Sequence, residues 1–207
     1  MISGVLSGHS RPPSCVALSQ NSSYVVSGGE DGTIIAHSTK TGIVEYRADN
    51  VFANGVQGLC NLPNGSLVAC GYGDDVGNGL KVLSPSLELV QILEGHDGAV
   101  FCVTVSPSGS HFASGSDCKV MIWSEPGEGG EWARVQVLED HTDYIFAVCF
   151  SPDGKQLATG SLDKLINLYS FNEGSAILAH TLGGPHRLRQ VPLVLSRLQT
   201  PLLGKYR

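Results

Sequence analysis

The sequence predicts an all-β chain of four-stranded units, arranged as an incomplete β-propeller of about four blades. The expected form is an open arc or part of a larger ring. Two observations predict it. From Leu93 to Trp123 the chain reads as short β-rich runs punctuated by Gly, Pro, Ser and Asp, the composition of strands and turns. The same pattern returns from Leu138, with His96 and His141 45 residues apart, and Pro107 and Pro152 likewise. A self-similar period of about 40–45 residues with four strands per unit is the sequence signature of a propeller blade.

Composition agrees. Glycine supplies 26 of 207 residues, well above the usual share of about 7%, as a turn-rich β chain requires. The net charge of −6 argues against a general nucleic-acid footprint. No apolar run approaches the ~20 residues that span a membrane. The first residues lack the basic flank and long apolar stretch of a signal peptide. Six cysteines form no C-x-x-C pair, and seven histidines show no H-x-x-x-H spacing. Reduced cysteines on strands and no metal site are therefore expected. No cofactor motif is present either.

Taken in order, unit one covers about 2–41. Ile2–Leu6 is expected as a strand, followed by Gly8-His9, strands at Ser14–Leu18 and Tyr24–Gly28, a turn at Glu30–Gly32, and a strand at Thr33–His37. Unit two, about 42–86, is degenerate. Its Gly-His is absent, with Phe52 near that place. Its turn Gly73–Gly79 is long, its acid is Asp74, and Leu83 ends its last strand. Unit three covers 89–124. An acidic, Gly-rich loop, Glu125–Glu131, separates it from unit four at 132–172. A fifth unit is expected to start at 176–182, and then the pattern stops. Residues 183–207 form a non-repeat tail that carries five of the thirteen basic residues and no acid.

Gly95-His96, Ser106-Pro107-Ser108-Gly109, Phe112–Ser116, Asp117 and Val120–Trp123 together resemble the WD-repeat family, whose units open on Gly-His and close on Trp-Asp. Here Ser124 follows Trp123. The resemblance implies a hydrogen-bonded set of His, Ser or Thr, Asp and Trp inside each blade. By position these are His96, Ser114, Asp117 and Trp123 in unit three, and His141, Thr159, Asp163 and Tyr169 in unit four. In unit one they are His9, Ser27, Asp31 and His37. Ser114 precedes Asp117 by three residues, whereas the spacing is four in units one and four. The unit-three set is therefore expected to be altered.

A set repeated once per unit reads as a structural device, not as a Ser-His-Asp active site. No catalytic residues are assigned and no enzyme is expected. The resemblance implies a platform for other proteins or peptides, bound at the narrow face. Val-Phe-Cys-Val and Ile-Phe-Ala-Val break strict alternation as a bulge would, which makes Phe101, Phe146 and nearby Tyr144 candidate partner-binding residues. A regulatory segment of a larger enzyme or ATPase is the alternative. A ubiquitin-ligase adaptor is disfavoured, because Pro126 and Asn172 stand where such adaptors carry Arg. An open arc would also leave two blade faces for self-association, with Ile2–Leu6 available to complete the last blade. The expected location is the cytoplasm, with the nucleus left open.

Overall fold

The computed structural model describes residues 5–73, 79–125 and 130–183. The expected long turn at Gly73–Gly79, including Asp74, and the Glu125–Glu131 loop lie largely outside them, as does the tail after Gly183. The described residues contain sixteen strands and no helix. They form four four-stranded antiparallel sheets. The first sheet is β1 (Pro13–Leu18), β2 (Tyr24–Gly29), β3 (Ile34–Ser38) and β4 (Val44–Ala48). The second is β5 (Val56–Asn61), β6 (Leu67–Gly71), β7 (Leu80–Leu83) and β8 (Leu89–Ile92). The third is β9 (Cys102–Val105), β10 (His111–Gly115), β11 (Val120–Ser124) and β12 (Ala133–Leu138). The fourth is β13 (Ile145–Phe150), β14 (Gln156–Ser161), β15 (Leu165–Asn172) and β16 (Ser175–Gly183).

Sequence units and sheets are out of phase by one strand. The first run of each later unit, ahead of Phe52, His96 or His141, is the outer strand of the preceding sheet: β4, β8 and β12 close sheets one, two and three. The expected start of a fifth unit at 176–182 falls on β16, which pairs with β15 along its length and is the outer edge of sheet four, just as β8 and β12 open units three and four and close the sheets before them. That pairing corrects one expectation, since it fills the place proposed for Ile2–Leu6. Val5 and Leu6 lie in no strand, and residues 1–4 are outside the described residues.

The sheets pack through their innermost strands: β1 on β5, β5 on β9, and β9 on β13. Each junction encloses its own core. Between sheets one and two lie Val26, Ile34, Ala36, Phe52, Val56, Ala69 and Leu83. Between two and three lie Val68, Cys70, Leu80, Val100, Phe112, Met121 and Trp123. Between three and four lie Cys102, Ala113, Ile122, Ile145, Val148, Leu157 and Tyr169. Burying such side chains stabilises by roughly 1.5–3 kcal/mol each before entropy is counted. Packing of that extent does not join β13 back to β1, and the arc is unclosed.

The ends of the arc differ from its interior. Val16 and Leu18 on β1 are 67% and 59% exposed. Leu59 and Val103, which hold the place of Val16 in their sheets, are packed against a core. On sheet four, Ala158, Ile166 and Leu168 are only half-buried. Ala113, Val120 and Ile122 hold those places in sheet three and are fully buried.

Candidate functional site

Two groups of side chains were singled out by sequence, and the fold separates them. The first lies inside the sheets. In sheet four, the His141 Nδ1–H donates to Asp163 at 2.8 Å, and Nε2 stands 2.8 Å from the Thr159 hydroxyl. Since a carboxylate only accepts, it fixes the proton on Nδ1 and leaves Nε2 to accept from Thr159. Asp163 also accepts the backbone N–H groups of Thr142 and Leu165. Sheet one repeats this with His9, Asp31 and Ser27, at 3.1 and 2.8 Å, and Asp31 accepts from the N–H groups of Ser10 and Thr33. Burial alone would raise the pKa of Asp31, but those donors outweigh it and hold it down at about 2. Asp163 is lowered in the same way: burial opposes, and His141 and two backbone donors prevail.

Sheet three is built differently. Ser114 Oγ lies 2.7 Å from His96 Nε2 and accepts from the Trp123 indole N–H at 2.9 Å. The other ring nitrogen of His96 is buried without a hydrogen-bond partner. Asp117 does not reach it and is exposed beside Gly98. The register explains why. Ser27 faces Ile35 and Thr159 faces Asn167, each eight residues on, while Ser114 faces Met121, seven on. The missing residue shortens the β10–β11 turn and carries Asp117 away from the ring. Gly32 and Lys164, which follow the acid in sheets one and four, are both left-handed at φ 74° and 72°. Cys118, which follows Asp117, is not. Burial pushes the His96 pKa down to about 4.

The position of the closing Trp is also variable. The His37 Nε2–H donates to the Ser7 carbonyl at 3.0 Å, not to Ser27. The Tyr169 hydroxyl is buried near Asp140, Asn167 and Thr159, none at hydrogen-bonding geometry. Among the described residues, sheet two replaces the polar set with apolar side chains. Ala69 stands in register where the other sheets have Ser or Thr, and Leu83 where they have Trp, Tyr or His. A Cβ on Gly29 would meet the His9 ring, and one on Gly71 would meet the Phe52 ring. Phe52 thus fills the histidine's place, with the Lys81 ammonium 4.8 Å above it and bonded to the Val51 carbonyl.

The second group faces solvent. Each innermost strand of sheets one, two and four is bulged near its start: the register jumps from Pro13 to Cys15, Val56 to Gly58, and Ile145 to Ala147. The skipped residues are Ser14, Gln57 and Phe146, and Phe101 holds the same place in sheet three, its N–H bonded to the Gly115 carbonyl. A bulge turns its extra residue out of the pleat. In sheets three and four that residue is an aromatic ring. Phe101 and Phe146 lie 5.0 Å apart, and Tyr144 stands edge-on to Phe101 at 5.4 Å. Tyr72, which sequence reasoning missed, extends the cluster at 5.9 Å from Phe101. It follows β6 directly, and a lone Tyr after a Gly carries no signal until β6 and β9 are placed side by side. Tyr144 and Phe146 remain 44% and 52% exposed.

The connections at this end of sheets three and four carry Glu94, Asp97, Asp117, Glu139, Asp140, Asp143 and Asp163, against Lys119 and Lys164. Lys119 is already paired with Asp97 at 2.9 Å. The opposite end of the inner strands is a shallow recess of about 460 Å³ lined by Asn61, Pro63, Val105, Pro107, Phe150 and Pro152, with no charged side chain. Among the described residues no cluster of His, Cys, Asp and Glu is arranged to hold a metal. All six cysteines are unpaired, and burial raises the thiol pKa to about 11 at Cys15 and about 12 at Cys60 and Cys102.

Four-stranded antiparallel sheets packed on their inner strands, with a recurring His–Ser/Thr–Asp set, define a propeller-type repeat protein. Residues 2–37, 87–124 and 132–170 match the family model for the WD domain, G-beta repeat. These segments cover more than half of the chain, and it belongs to the WD-repeat family. The stretch between the first two matches contains the first three strands of sheet two, β5 to β7, where Phe52, Ala69 and Leu83 stand in the places of the family's His, Ser or Thr, and Trp. No curated protein matches the chain. WD repeats are in general protein-interaction modules and non-enzymatic.

Proposed function

We propose that this chain is a non-catalytic docking platform that captures a partner protein or peptide on the aromatic end of sheets three and four. The observation that carries the reading is the Tyr72–Phe101–Tyr144–Phe146 cluster, with Phe146 turned outward at a backbone bulge and the rings left partly uncovered. Aromatic anchors of this kind dominate binding energy at protein interfaces. The acidic connections around the cluster favour a segment that presents Lys or Arg beside an apolar anchor. Basic groups gain from ring faces and from the surrounding carboxylates alike. The same acidity disfavours nucleic acid.

The His–Ser/Thr–Asp sets have no place in this function beyond holding the blades. The Ser114 and Thr159 hydroxyls are buried in sheet interiors, and Ser27 is half-buried. Six unpaired cysteines, several with thiols suppressed by burial, support a reducing compartment such as the cytoplasm.

The test is the double substitution Tyr144→Ala plus Phe146→Ala. Both rings are surface-exposed, so the melting transition and circular-dichroism spectrum should be unchanged. Partners captured from cell lysate by the native chain should be lost, and their binding should weaken as salt is raised. Capture that persists at native strength in the double variant would move the interface to another surface.

A further inference from the structure

Two of the three internal junctions are built to one plan, and the plan says what fits the two open faces. At the first and third junctions the first residue of an inner strand presses on a glycine of the preceding sheet; at the second, Val100, two residues before β9, presses on Gly79, and Cys70 holds the place of that glycine. An added Cβ on Gly28 would lie 2.6 Å from Val56, one on Gly79 2.9 Å from Val100, and one on Gly115 2.8 Å from Ile145. Gly160 is the equivalent of Gly28 and Gly115 in sheet four, in register opposite Ala147. A Cβ there would meet only the Ala147 methyl, at 3.7 Å. The seat is formed and its occupant is absent.

The occupant's equivalent exists at the other end of the chain. Pro13 holds in β1 the place that Val56 and Ile145 hold in β5 and β13, one step before the bulge. It is exposed, as are Val16 and Leu18 on the same strand. Val148, the equivalent of Val16 in sheet four, is buried against sheet three. The leading face of sheet one therefore has the features that sheets two and four use to pack on their predecessors. The trailing face of sheet four has the features that accept them.

We propose that two copies of this chain associate head to tail, the β1 face of each seated on the β14–β15 face of the other. A contact between unlike faces propagates unless rotation closes it. Two arcs of four sheets close at eight, the upper end of the usual four to eight blades of propellers. The pair is thus a two-fold ring whose axis is the propeller axis, with both open faces covered and no free end.

Sedimentation velocity on the purified full chain tests this, using Val16→Glu and Gly160→Lys as variants. Val16 is exposed and Gly160 has room, so each variant should fold as the native chain does by circular dichroism. The native chain should sediment as a species of twice its 21.8 kDa mass, dissociating on dilution. Each single variant should be monomeric, because each spoils one face of both contacts. Mixing the two variants should restore the dimer, since one contact is then native and the other pairs Glu with Lys. A native chain that stays monomeric at all concentrations would overturn the proposal and leave residues 183–207 or another protein as the cover. A Val16→Glu chain that dimerises normally would overturn it in favour of a contact between like faces.

Discussion

Sheets two and four solve one structural problem with opposite chemistry. In sheet four, the space between the outer connection and the sheet is filled by His141, Thr159 and Asp163, every ring nitrogen satisfied. In sheet two the same space holds Phe52 over Ala69, and among the described residues no His or hydroxyl takes part. A buried polar set costs little when complete and much when one member is missing, whereas an apolar filling has no partner to lose. Sheet three shows the cost of an intermediate state: it keeps His96, Ser114 and Trp123 but has lost the acid, and one imidazole nitrogen is orphaned. The blade architecture therefore requires that the space be filled, and the His–Asp pair is one way to fill it.

The largest effect is expected where the filling is apolar. Phe52→Ala should empty a fully buried site and destabilise the chain by about 3–5 kcal/mol, read from denaturant midpoints. Phe52→His should fare little better, since no hydroxyl at Ala69 waits for the ring. A Phe52→His chain with native stability would show that sheet two keeps a hidden polar set.

A second effect is a pH dependence at sheet three. The folded pKa of His96 is about 4, below the ordinary value of about 6.5. As pH falls from 6.5 toward 4, the unfolded chain takes up a proton that the folded chain refuses, so stability declines across that window. At pH 5 the loss is about 2 kcal/mol relative to pH 7. Asp31 behaves differently: its folded pKa of about 2 lies below the unfolded value, so its contribution holds above pH 4 and is lost only as pH falls toward 2. Hydrogen exchange should thus show β10 and β11 weakening by pH 5 while β2 and β3 keep their protection. Equal weakening in both sheets would contradict the assignment of the orphaned nitrogen.

The smallest effect is at the turn. Gly32 and Lys164 share one left-handed conformation, and only glycine adopts it without steric cost. Lys164→Gly should raise stability by about 1 kcal/mol, seen as a higher unfolding midpoint. The same change at Lys119, in the shorter turn of sheet three, should not.

Much of this was legible in the chain itself. The 45-residue period and the Gly, Pro and Asp punctuation expose the strands because turns impose strict local chemistry. The one-residue difference between Ser114–Asp117 and Thr159–Asp163 foretold the altered set in sheet three. What was hidden depends on neighbours in space. Sheet membership could not be read, since a strand before Gly-His looks the same whichever sheet it joins. That is why 176–182 reads as the start of a new unit and is at the same time the edge of the fourth sheet. Phe52 was noticed only as lying near a missing Gly-His, and its role appears once Gly71 brings the ring into the sheet. Tyr72 needed the contact of β6 with β9.

The comparison is tested most directly by matching the two acids. Asp163→Ala removes the acceptor of His141 and of two backbone N–H groups, and Asp117→Ala removes an exposed carboxylate that holds none of them. Chemical denaturation at pH 7 should show Asp163→Ala destabilised by about 1–3 kcal/mol and Asp117→Ala unchanged within about 0.5 kcal/mol. Equal losses from the two substitutions would mean that His96 does rely on Asp117, and that sheets three and four are held by one and the same network.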